Sequence, residues 1–190
     1  MKENFLKSLA LILKYEGGFS SHPFDPGGAT NQGITLRTLQ KFNEQYDYGD
    51  FDHNGDIDVD DIHLLDTPEK VAPIYKKYFW DMMKLDDFPN QIDFILFDFG
   101  VNSGPTNAFK ILQRALNKLG QSVGAIDGIV GRKTREALIK ADKGLLIKQL
   151  LNERDIFYRK IVAVNPDQEV FLKGWLNRIA NLAVDVRSFG

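Results

Sequence analysis

Glu16 stands where local rules would place a cation. Upstream of it, Phe5, Leu6, Leu9, Ile12 and Leu13 fall on one helical face. Downstream, Gly17 and Gly18 are helix-stopping residues. Glu16 is therefore expected in the last helical turn. A carboxylate there meets the negative end of the helix dipole, at a cost of roughly 0.3–1 kcal/mol. One reading is a solvated surface glutamate that tolerates this cost. The other is chemical: dipole and burial together favour the protonated carboxyl, the form a general acid needs.

A second constellation follows at residues 50–61, DFDHNGDIDVDD. Asp50, Asp52, Asn54, Asp56, Asp58 and Asp61 occupy positions 1, 3, 5, 7, 9 and 12 of an EF-hand-like calcium loop, with Gly55 at position 6. A hard cation needs six or more oxygens at about 2.3–2.6 Å, and alternate residues can turn theirs inward. Position 12 is Asp where Glu is usual, which predicts a weaker or altered site. Without a cation these carboxylates repel one another at short range. A single loop with no partner hand reads as a structural clip for calcium, and the bland alternative is an acidic solvated loop.

The elements that must position these residues are mostly helical. Residues 17–34 are rich in Gly, Pro, Ser and Asn, so a loop or short hairpin is expected. Thr35 is placed to cap a helix carrying Leu36, Leu39 and Phe42. Thr67-Pro68 starts another, with Pro73 predicting a kink or a late start. Further helices are expected over Ile92–Phe99, over Ala108–Leu116 and over KTREALIKA, then at about 143–164 and 168–187, the last two broken at Asn165-Pro166. The fold class predicted is all-α, mainly helical, with a small loop or hairpin region near Glu16. Two regions are expected, 1–100 and 101–190, packed into one body.

Composition sets the bounds. The chain has 190 residues, 43% hydrophobic and 26% charged, enough for a real core. The net charge of −2 gives no field for nucleic acid, and no apolar run is long enough to span a membrane. With no cysteine and three scattered histidines, disulfides, zinc sites and a Ser-His-Asp triad are excluded. The first helix is too short and too amphipathic for a signal-peptide core, so the expectation is a monomer held in the cytoplasm until released to the cell wall or periplasm.

The run EGGFSSHPFDPGGATNQGIT (16–35) resembles the signature of glycoside hydrolase family 108, lysozyme-like muramidases of bacteria and phages, some called secretion activator proteins. YKKYFWDMMKLDDFP (75–89) and DFGVNSGPTNAFKILQRALN (98–117) resemble its middle segments, AIDGIVGRKTREAL (125–138) its C-terminal peptidoglycan-binding region, and residues 154–178 its closing segment. The resemblance implies a lysozyme-like fold, Glu16 as catalytic glutamate, peptidoglycan glycan strands as partner, and cleavage between N-acetylmuramic acid and N-acetylglucosamine, as in a phage endolysin. It leaves open a lytic transglycosylase, a non-catalytic peptidoglycan-binding module and a calcium-dependent secretion-linked protein.

Such chemistry needs a proton on the leaving oxygen and help on the other face of the sugar. Asp25 is either that second carboxylate or the cap of the Asp-Pro-Gly-Gly turn. The spacing Glu-x8-Asp resembles phage-type lysozymes, whose third position matches Thr30 with a one-residue departure. Candidate substrate contacts are Phe24, Asn31, Gln32, Trp80 and Asn102. Asn102 is either an amide for a sugar N-acetyl group or a left-handed helix cap. Trp175 reads as packing.

Overall fold

Apolar residues spaced three and four apart dominate the chain, and helices follow. The structure, a computed structural model, describes residues 2–21 and 29–189. Among these, nine α-helices and one two-stranded hairpin divide between two compact units, Met1–Met82 and Met83–Gly190.

The first unit opens with α1 (Lys2–Leu13), which buries Phe5, Leu9 and Ile12. It packs on α4 (Pro68–Tyr75), and Phe5 meets Trp80 edge-on at 5.5 Å. The hairpin β1 (Thr30–Asn31) and β2 (Ile34–Thr35) is antiparallel, with Asn31 opposite Ile34. Its two-residue turn, Gln32-Gly33, has φ of 49° and 76°. That is the primed turn whose twist matches a hairpin, and it normally selects Asn-Gly or Gly-Gly. Thr35 then caps α2 (Leu36–Tyr46) as expected, its hydroxyl accepting from Thr38 N at 3.2 Å. Asp58 caps α3 (Val59–Leu64) in a reciprocal box with Asp61. Thr67 occupies the N-cap of α4, but its hydroxyl makes no capping bond. Pro73 sits inside α4 without ending it, and a π-helical segment, Lys76–Asp81, follows directly.

The second unit is built round α5 (Ile92–Ser103), which is buried on every side from Ile92 to Gly100. Such a helix is the centre of a small core rather than an amphipathic edge. Gly100 lets Met83 pack close, since a β-carbon there would lie 2.6 Å from the Met83 sulfur and make that side chain shift. Around it run α6 (Pro105–Lys118), α7 (Arg132–Lys140), α8 (Lys143–Val164) and α9 (Glu169–Asp185). The break between α8 and α9 falls at Asn165-Pro166, as predicted, and the start of α6 at Pro105 uses proline at its favoured first position. The loop between α6 and α7 is clamped by buried Gln113. Its amide donates to Asp127 at 2.9 Å and to the carbonyl of Ile129 at 3.1 Å, and its carbonyl accepts from Gly128 N at 2.8 Å. The Asp-Gly of that loop is scaffolding, and the Gln113 amide, helped by the Ile129 N–H at 2.8 Å, holds the Asp127 carboxyl below its usual range.

Candidate active site, acidic loop and buried ion cluster

Helix α1 ends at Leu13, one turn earlier than the glycines suggest. Lys14 and Tyr15 close a tight turn through N–H bonds to Leu11 and Ile12, at 3.3 and 2.8 Å. Glu16 therefore follows the helix instead of lying in its last turn. The cause lies downstream. Gly17 O accepts from Gln32 N at 3.1 Å, and Ser20 and Thr30 exchange two backbone bonds at 2.8 and 2.7 Å. The chain after Glu16 is drawn into the hairpin as a partial third strand, which a continuing helix would prevent.

This pairing lodges Glu16 against the hairpin turn. It is half-buried, and a β-carbon on Gly33 would lie 2.9 Å from Glu16 Oε2 and 2.5 Å from Tyr75 Oη. Real β-carbons do not come so close, so Gly33 is needed both for its φ and for the space it leaves. Tyr75 is 1% exposed and donates its hydroxyl proton to Gln32 O at 2.9 Å, fixing the turn. A carboxyl, a phenol and a glycine thus meet at one strained turn, the kind of place where backbone strain and function coincide. Tyr75 and Gly33 were not legible as site residues. Tyr75 carries the spacing of a core residue, which it also is.

The other expected residues divide. Thr30 lies on β1, half-buried, with its backbone paired to Ser20. Gln32 lies in the turn beside Glu16. Asp25 and Phe24 lie outside the described residues. Asn31 is 4% exposed, and its amide donates to the carbonyls of Ile62 and His63 at 3.0 and 3.3 Å, so it ties β1 to α3 rather than facing a ligand. Trp80 is 1% exposed against Phe5, and a sugar cannot stack on it. Asn102 lies within α5 and is not a left-handed cap; Gly104, with φ of 87°, takes that role.

The acidic loop is folded round its own oxygens. Asp50 accepts from Asn54 N and Gly55 N, both at 3.1 Å, and Asp52 also accepts from Asn54 N at 3.1 Å. Gly55 has φ of 95°, the bend that position 6 demands. Asp61 is fully buried and accepts from Phe51 N at 2.6 Å and Asp58 N at 3.1 Å. Oxygens of Asp50, Asp52 and Asp61 lie within 4.8 Å of one another, as do those of Asp56, Asp58 and Asp61. Removal from water raises Asp52 above its ordinary value, Asn54 N–H opposes this, and the charges of Asp61 and Asp50 add to it. The Ile57 carbonyl accepts from Gln40 at 3.0 Å, anchoring the loop to α2.

The second unit holds a cluster with no sequence signal. Asp98 on α5 is fully buried and paired with both Arg154 of α8 and Arg178 of α9. Burial pushes its carboxyl up, but the two guanidiniums outweigh that and hold it below the carboxylate range. Arg154 lies 4.9 Å over the ring of Phe99 and donates from Nε to Tyr158 Oη at 3.1 Å. Tyr158 in turn donates to Asn102.

A mainly helical protein with a glutamate lodged at a strained hairpin turn has the outline of a helical glycoside hydrolase. Residues 9–104 match the glycosyl hydrolase 108 family, and residues 107–180 match a predicted peptidoglycan domain. The solved structure of SagA from Brucella abortus is 30% identical, with a TM-score of 0.74 over 100% of this chain and 97% of that one. No curated protein matches. The chain belongs to glycosyl hydrolase family 108, and its chemistry is hydrolysis of cell-wall peptidoglycan. The family segment reaches through α5, which packs in the second compact unit, so the sequence boundary near 105 and the packing boundary at Met82 are different places.

Proposed function

We propose that the chain cleaves the β-1,4 bond between N-acetylmuramic acid and N-acetylglucosamine by adding water, with Glu16 as proton donor to the leaving oxygen. The observation that carries the reading is the lodging of the Glu16 carboxyl against Gly33 and Tyr75, within the family segment. A carboxyl held by a rigid turn can present its proton at a fixed place, which is where general-acid catalysis gains its effect. Asp25 is the proposed second carboxylate and Thr30 the proposed third member, to hold the attacking water. Digestion of purified cell walls followed by mass spectrometry tests the reaction. Hydrolysis yields muramic acid at a free reducing end, 18 mass units heavier than the anhydro end that a lytic transglycosylase leaves. Anhydro products alone would overturn the hydrolytic reading. Reducing-end glucosamine would overturn the choice of bond.

The same proposal places a structural calcium ion in the loop 50–61. The donor set fits such an ion. Carboxylate oxygens of Asp50, Asp52 and Asp61 converge, those of Asp56 and Asp58 gather on Asp61 as well, and the Asn54 amide donates to Asp52 at 3.0 Å. The short Asp61 already accepts two backbone N–H groups, which argues for modest affinity. Calcium would offset the charges of Asp61 and Asp50, which add to the upward shift that removal from water gives Asp52. At a free concentration about 100 times Kd, binding stabilises by roughly 2.7 kcal/mol. In a chain of this size that is a rise in Tm of on the order of 5–10 °C, reversed by EDTA. A melt indifferent to both calcium and EDTA would remove the ion from the account.

A further inference from the structure

We propose that Asn102 is a one-way donor for the acetamido carbonyl of an N-acetylhexosamine, and that Tyr158, Arg154 and Asp98 are positioning residues that hold its amide in that sense. All four lie in the unit Met83–Gly190. Asp98 and Asn102 are one turn apart on α5, and Arg154 and Tyr158 one turn apart on α8. Hydrogen bonds join them as two rungs, a buried one from Arg154 to Asp98 and an outer one from Tyr158 to Asn102. Asp98 and Arg154 are wholly buried, Tyr158 is 1% exposed, and Asn102 is exposed.

The direction of this chain follows from which groups can donate. A guanidinium has donors and no acceptor. Arg154 is fixed by the Asp98 carboxylate, so its Nε must donate to Tyr158 Oη. The phenol oxygen is then occupied as an acceptor, and its one proton goes to Asn102. The atom receiving it must be Oδ1. Ser103 Oγ donates to the same oxygen at 3.0 Å. With Oδ1 taken by two donors, the exposed end of the amide is Nδ2 with its two N–H groups. A surface asparagine ordinarily offers a donor and an acceptor and turns to suit. This one is set by a buried charge two bonds away and offers only donors.

A donor-only amide selects a strong acceptor such as an amide carbonyl. Sugar hydroxyls both donate and accept and need no such orientation. The ring of Tyr158 belongs to an aromatic cluster, the kind of side chain on which sugar rings pack. Trp175 stacks on Tyr158 at 4.9 Å and 17°, and Phe171, 5.9 Å from Trp175, is 53% exposed. Apolar faces with one oriented polar group are the usual make-up of a small-ligand site. The choice of an acetamido sugar rests on the glycan-cleaving reading above; the polarity of the amide does not.

The test uses the full chain carrying Glu16→Gln to prevent turnover, with two neutral β-1,4 probes. Chitotetraose carries acetamido groups and cellotetraose carries hydroxyls in their place. Calorimetry should find chitotetraose bound about tenfold tighter, the worth of one well-placed hydrogen bond. Asn102→Asp replaces the donor by an acceptor at an exposed position and should bring the two probes within about twofold. Tyr158→Phe keeps the ring stack and removes only the phenol oxygen. It should weaken chitotetraose alone and shift the side-chain amide resonances of Asn102. With Glu16 intact, both variants should raise KM on cell walls and leave kcat, since the amide binds and does not react. A tenfold preference that survives Asn102→Asp, or no preference in the parent, overturns the proposal. If wall lysis by the otherwise native chain continues in that case, the glycosidase reading stands without it.

Discussion

Glu16→Gln is expected to lower the rate of cell-wall cleavage by about 10²–10⁴-fold, the usual worth of a general acid. Gln has the same shape and can occupy the same place against Gly33 and Tyr75. What it lacks is a transferable proton, so KM and the thermal melt should stay near the parent values while kcat falls. That pattern marks an interaction made only in the transition state. Undiminished lysis would leave the lodged carboxyl without a catalytic role and would shift suspicion to another acid. A fall in activity accompanied by an equal fall in Tm would mean that Glu16 holds the turn together and does no chemistry.

The way Glu16 is held also shows where sequence reasoning succeeds and where it stops. Helices whose apolar residues repeat cleanly were legible, because a 3.6-residue period needs only the local chain. The break at Asn165-Pro166 and the Thr35 cap are of this kind. The end of α1 was not, because Gly17 and Gly18 look like a stop while the real stop is the pairing of residues 17–20 with a hairpin that begins ten residues on, at Thr30. Asn31 and Trp80 failed for a related reason. Polar and aromatic side chains near a proposed site look like ligand contacts until burial is known, and these two are buried structural members. The acidic loop was legible as a pattern because its ligands are local. Asp98 carried no signal, since its partners are 56 and 80 residues away and no periodicity joins a carboxylate to two distant arginines.

That cluster supports the second large expected effect. Asp98→Asn should destabilise the protein by about 3–5 kcal/mol at neutral pH, because it leaves two guanidiniums facing a neutral group in a buried place. In a chain of this length the corresponding fall in Tm is on the order of 10 °C. The pH dependence separates a lost charge from lost packing. Asp98 is held below its ordinary value in the folded protein, so its contribution is complete above the unfolded value of about 4. It is lost as pH falls below that value and through the native one. Parent and variant should therefore differ most at neutral pH and converge toward strong acid. Parallel curves would show that the carboxylate charge contributes nothing and that only packing was disturbed. A buried ion cluster is a poor way to gain stability, since apolar residues of the same shape do as well. What apolar residues cannot do is fix the donor direction of Arg154, and through Tyr158 the face that Asn102 turns to solvent. The charges are best understood as setting an orientation, with stability lost only when one of the set is removed.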